Sequence, residues 1–77
     1  MKAITYRVLF REEDEGGYTA IVPSLPGCVS YGETLDKAII MIKEAIDLYI
    51  EDLIAENEPI PNEDRTLEYN VQVEINA

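Results

Sequence analysis

The groups in this chain that could do chemistry are few: an unbroken run of acids, Glu12-Glu13-Asp14-Glu15, and one thiol, Cys28. Four adjacent carboxylates could hold a cation. A calcium loop, however, alternates its ligands with spacers, and this run has no such alternation. The run reads either as a solvated turn or as a loop that meets a partner. Cys28 would need a nearby cation to become a thiolate, and no Lys or Arg lies close to it in sequence. It reads as a small buried apolar residue. His is absent from the 77 residues, which removes the commonest general base and metal ligand. Metal-dependent phosphodiester cleavage needs carboxylates on a rigid frame, and the first apolar stretch, Lys2 to Arg11, contains none. No catalytic residue, no cofactor and no metal site is expected.

The elements that must position these groups follow from periodicity. Ile4, Tyr6, Val8 and Phe10 alternate with Thr5, Arg7, Leu9 and Arg11, the period of a strand. The acidic run with Gly16-Gly17 closes a hairpin onto a second strand, Tyr18 to Val22. Pro23 ends that strand because it has no N–H to donate. Cys28 to Tyr31 makes a short third strand, completing an antiparallel meander. Gly32 turns the chain, and Thr34 is placed to cap a helix running to about Asn57, before Pro59 and Pro61. At 100° per residue, Leu35, Ala38, Ile39, Ile42, Ala45, Ile46, Tyr49, Ile50 and Leu53 form one stripe. That stripe is the expected core face. Leu67, Tyr69, Val71, Val73 and Ile75 then alternate with polar residues and predict a fourth strand.

The fold class is therefore α+β, in the order β-β-β-α-β: a meander, a crossover helix and a fourth strand. With that strand beside the first, the sheet order is 3-2-1-4 and the crossover is right-handed. The order resembles the ribonuclease H fold, whose metal chemistry depends on an acid in the first strand; here that strand is acid-free.

Charge is the strongest global signal. Sixteen acids against six bases give a net charge of −10. Such a surface repels phosphate backbones and anionic lipid, so no direct nucleic-acid binding by this chain alone and no membrane association are expected. The surplus serves solubility or attracts a basic protein. Without a long apolar N-terminal segment, and with one Cys, the chain reads as cytoplasmic. At this length a core is small, so association is expected. Met41 and Leu48, seven apart and off the core stripe, form a narrow second seam suited to homo-oligomer contact, although they could equally be peripheral core. Edge-strand pairing is the competing geometry. Glu51, Asp52, Glu56 and Glu58 crowd the negative end of the helix, a cost that a cationic partner would offset.

One stretch is more specific than the rest. Gly16-Gly17-Tyr18-Thr19-Ala20-Ile21-Val22-Pro23-Ser24-Leu25-Pro26-Gly27-Cys28-Val29-Ser30-Tyr31-Gly32-Glu33-Thr34 joins a tight turn, two short strands, a Pro-bounded corner and a capped helix start. It resembles the core of the HicB-like antitoxin family, and the likeness extends over about Ile4 to Pro61. The resemblance implies a degenerate, inactive ribonuclease H-like fold and a stoichiometric role: binding and neutralising a small basic messenger-RNA-cleaving toxin of the HicA type. It also implies one HicB-like domain over residues 1–77. Longer family members add a C-terminal DNA-binding helix-turn-helix or ribbon-helix-helix, and none is expected here. The alternative is an orphan HicB-like module that interacts or oligomerises without a toxin. On either reading the candidate partner-binding residues are Glu12, Glu13, Asp14 and Glu15 in the loop, with Tyr18, Pro23, Pro26 and Tyr31 around the corner between strands two and three. Leu25 belongs to the same corner, which is either a capped end of the core or a binding surface.

Overall fold

The computed structural model describes residues 2–76. Three short strands, β1 (Leu9–Glu12), β2 (Tyr18–Ile21) and β3 (Val29–Gly32), form an antiparallel sheet in the order β1-β2-β3, followed by one helix, α1 (Leu35–Ala55). This is the expected α+β meander plus helix. The helix starts where Thr34 accepts a hydrogen bond at Oγ1 from the Lys37 N–H at 3.1 Å. It ends in a left-handed turn: Asn57 has φ 59°, Asn57 N–H donates to the Ile54 carbonyl, and Glu58 N–H donates to the Leu53 carbonyl. Those two bonds satisfy carbonyls that the last turn would otherwise leave open.

The helix packs on β3 and β2 but does not reach β1. Its close approach to β3 depends on Gly32, where a Cβ would lie 2.2 Å from the Ala38 backbone nitrogen. Beneath it sits the core of Ala20, Val22, Leu25, Cys28 and Ile42, with Ala38 also buried. The predicted stripe is thus the inward face, and Ile42 is its deepest large residue. Ala45, Ile46, Tyr49 and Ile50 are half-buried against the core, while Leu35 and Ile39 at the N-terminal end are exposed.

β1 is shorter than the alternation from Ile4 predicts, and the register gives the reason. Leu9 pairs with Ile21, so two steps further Arg7 would face Pro23, where the chain has already turned. The Glu63 carboxylate takes the place of that ladder bond. It accepts from the Arg7 N–H at 2.9 Å and from the Ser24 hydroxyl at 2.6 Å. The Tyr6 hydroxyl donates to the Pro61 carbonyl beside it.

Residues 67–75 differ from expectation. They have no ladder partner and stand in water, with Leu67 95%, Tyr69 86% and both Val71 and Val73 71% exposed. Alternation encodes a strand, but a strand exists only against another edge. Among the described residues the sheet has three strands, and the fourth strand of the order 3-2-1-4 is not seen. The radius of gyration, 15.1 Å, exceeds the roughly 11.5 Å of a compact chain of this length, as a projecting arm requires.

The Glu63 clamp carries a pH prediction. The Ser24 hydroxyl first, and then the Arg7 amide and guanidinium, hold the Glu63 carboxyl below the ordinary carboxylate range, against the opposing effect of burial. A carboxyl lowered by folding adds stability at pH above its unfolded value, about 4.3 for Glu. That contribution is lost as pH falls through the folded value. The hydrogen-exchange protection of the Arg7 amide should fall on acidification through this window, while that of Ile42 persists. Glu63→Gln should remove the pH dependence at Arg7.

Candidate functional site

Only one face of the sheet is covered. In the register, Phe10, Ala20 and Ser30 form one row and Glu12, Tyr18 and Gly32 another on the helix side. The rows between them, Leu9–Ile21–Val29 and Arg11–Thr19–Tyr31, point the other way. Among the described residues no element packs on that open face, and Leu9, Ile21, Val29 and Tyr31 are 37–52% exposed there. A row of apolar side chains across three strands, facing water, is a surface suited to a protein partner.

Glu13, Asp14 and Glu15 of the acidic loop rim this face beside Tyr31, while Glu12 lies in the helix-side row. Glu13 N–H donates to the Gly17 carbonyl at 2.9 Å, and Gly16 N–H donates to the Glu13 carbonyl at 3.0 Å. The Tyr31 hydroxyl donates to the Gly16 carbonyl at 2.9 Å, tying the loop to β3. Gly17 has φ 84°, and any Cβ there would collide with the Tyr31 ring, so the turn needs glycine on both counts. The Glu13 carboxylate accepts from the Thr19 hydroxyl and lies 3.4 Å from Arg11 Nη2. The Thr19 bond first, and then Arg11, hold the Glu13 carboxyl below its ordinary range. Glu13 is thus internally satisfied, whereas Glu12, Asp14 and Glu15 are exposed. Glu13, Asp14, Glu15 and Tyr31 share the lining of one polar depression.

The candidate residues do not form a single cluster. Tyr31 and the acidic loop come together. Tyr18 sits at the same end of the sheet but on the helix side, half-buried. Pro23 and Pro26 are at the opposite end, in the β2–β3 turn, a strand of four residues away or about 13 Å. That turn closes on itself through Leu25 N–H to the Val22 carbonyl and Cys28 N–H to the Leu25 carbonyl. The Tyr49 hydroxyl fastens it to the helix by donating to the Pro26 carbonyl at 2.8 Å. Leu25 is core, while Pro23 and Pro26 are exposed. The corner thus caps one end of the core through Leu25 and leaves its two prolines in solvent.

Cys28 is buried, and burial pushes its thiol above the ordinary value. Among the described residues no group of His, Cys, Asp and Glu is placed to hold a metal ion. No helix of the described residues is long and apolar enough to cross a membrane. Met41 and Leu48 lie outside the core and exposed, with exposed Ile40 beside Met41 over a shallow depression.

The apolar row of the open face was missed from sequence. Its signal was present in Leu9, an apolar residue on the otherwise polar parity of the first strand. Ile21 and Val29 could not be aligned with it until the register was known.

A family model described as "HicB_like antitoxin of bacterial toxin-antitoxin system" matches residues 6–76. A UPF0150 protein of Synechocystis is 56% identical over 59 residues, covering 77% of this chain and 75% of the relative. A UPF0150 protein of Thermoplasma acidophilum is 47% identical over 58 residues, covering 75% and 84% respectively.

Proposed function

The chain belongs to the HicB-like antitoxin family of bacterial toxin–antitoxin systems, and from that membership we propose that it neutralises a small, basic, RNA-cleaving toxin of the HicA type by binding it. The observation that carries the reading is the uncovered sheet face, an apolar row beside an acidic loop. The two parts do different work. Exposed Glu12, Asp14 and Glu15, within a chain of net charge −10, draw a cationic protein into encounter. Leu9, Ile21, Val29 and Tyr31 supply the contact that desolvates and slows release. Inhibition is then steric: a toxin surface that binds RNA is basic, and this chain covers it in place of the phosphates. No catalytic group is required. The lone thiol is buried, and the carboxylates of the loop are either tied to Thr19 and Arg11 or solvated. The setting is the cytoplasm, where such a toxin meets messenger RNA.

The test is co-expression with the short basic frame adjacent to the gene. A neighbour that arrests growth alone, and ceases to do so with this chain, supports the proposal. A harmless neighbour, or toxicity that this chain does not relieve, rejects it in favour of an orphan interaction module.

A further inference from the structure

The arm and the β1 side of the molecule are two unsatisfied halves of one interface. β1 is an open edge, paired only to β2, and the helix leaves its flank uncovered. An apolar groove of about 380 Å³ runs there. One wall is Ile4, Tyr6, Val8 and Phe10; the other is Ile39, Ile42 and Ile46 of the helix. A second hollow continues it past Ile50 and Ile54. The arm carries the matching pattern: five apolar side chains on one face, and Glu68, Asn70, Gln72 and Glu74 on the other.

We propose that the arm, residues 67–75, adds to the β1 edge of a second copy of this chain, and that the two copies exchange arms reciprocally. The apolar face of each arm lies over the groove of the other copy. Its acidic face then falls on the side of the sheet that carries Arg7 and Arg11.

Three observations select a second copy. The first is charge. Arg7 and Arg11 are two of only six bases in the chain and lie along the receiving strand, where a strand bearing Glu68 and Glu74 complements them and a basic partner does not. Arg7 is also underused. Among the described residues its Nε has no partner, and its one side-chain ion pair, to Glu68 of its own chain, is at 3.5 Å. The second is the tether. Pro61 and Glu63 engage Tyr6 and Arg7, fixing the base of the arm to its own body, and from Tyr69 onward the arm leaves that body. The third is closure. Each copy that extends an arm leaves one groove open, and a two-fold exchange fills both. Pairing of the two arms with each other is disfavoured. An antiparallel pair centred on Val71 sets Glu68 opposite Glu74 twice, and like charges directly across strands repel.

The test uses the chain alone, so it succeeds or fails independently of any toxin. Sedimentation at micromolar concentration should give twice the chain mass. Val71→Lys with Val73→Lys, at positions exposed in the single chain, should give the single mass with an unchanged circular-dichroism spectrum. Ile39→Lys, in the groove, should do the same. A mixture of the arm variant with the groove variant should recover a two-chain species at the highest soluble concentration, because one intact arm and one intact groove remain. A parent of single-chain mass overturns the proposal. So does an arm variant that keeps the double mass, particularly if Met41→Glu with Leu48→Glu abolishes it. A groove variant that keeps the double mass rejects exchange in favour of arm-to-arm pairing, and a mixture that stays single-chain overturns the proposal as well.

Discussion

Ile42→Asp is expected to unfold the domain. Ile42 is the helix residue that enters the buried cluster of Ala20, Val22, Leu25 and Cys28. The substitution removes most of a large apolar side chain from that cluster and puts an unpaired carboxylate in its place. Loss of the buried side chain alone costs about 2–5 kcal/mol, and the unpaired charge adds to it. A single core in a chain of this size supplies only about 3–5 kcal/mol. The variant should show no cooperative thermal transition. Ile40→Asp, two residues away on the exposed side of the same helix, should change stability by no more than about 0.5 kcal/mol. Equal melting of the two variants would refute the packing described here.

The second large effect is kinetic. With the cognate toxin in hand, Glu12→Lys, Asp14→Lys and Glu15→Lys together should slow association at low salt by tenfold or more, with little change in dissociation. Glu13 is left in place because Thr19 and Arg11 hold it, and its removal would disturb the turn itself. Rising salt should slow the parent and bring the two rates together, since the Debye length falls to roughly 8 Å at physiological ionic strength. A variant whose association matches the parent at low salt would place the loop away from the toxin. A variant that changes only dissociation would make the loop a contact rather than a guide. Leu9→Ser with Val29→Ser should have the opposite signature, raising dissociation with association nearly unchanged.

Much of the fold was legible because its determinants are local. Thr34 caps the helix through the hydroxyl three residues ahead of the N–H it accepts from. Asn57 and the two prolines beyond it stop the helix. The spacing of Ala38, Ile42 and Ile46 chooses the inward face, and Gly16-Gly17 permits the turn that the acidic run must make. Each depends on residues within one or two turns of chain, where spacing translates directly into geometry. The acidic loop was also identifiable from residue type, but Tyr31, read as part of the corner between strands two and three, joins the loop only through the register that sets it opposite Thr19.

What only the tertiary structure decided involves residues far apart in sequence. Glu63 reaches Arg7 and Ser24 across 56 and 39 positions, and nothing in its neighbourhood marks it as the group that ends β1. The open face became an apolar row only when the register set Leu9, Ile21 and Val29 side by side. Tyr18 and Tyr31 are both aromatic strand residues of the same motif, yet the pleat sends them to opposite faces. The arm marks the boundary most plainly. The alternation from Leu67 to Ile75 determines that this segment can be a strand with one apolar face. It contains no information on which edge will receive it, because a strand's hydrogen bonds are made outside its own segment.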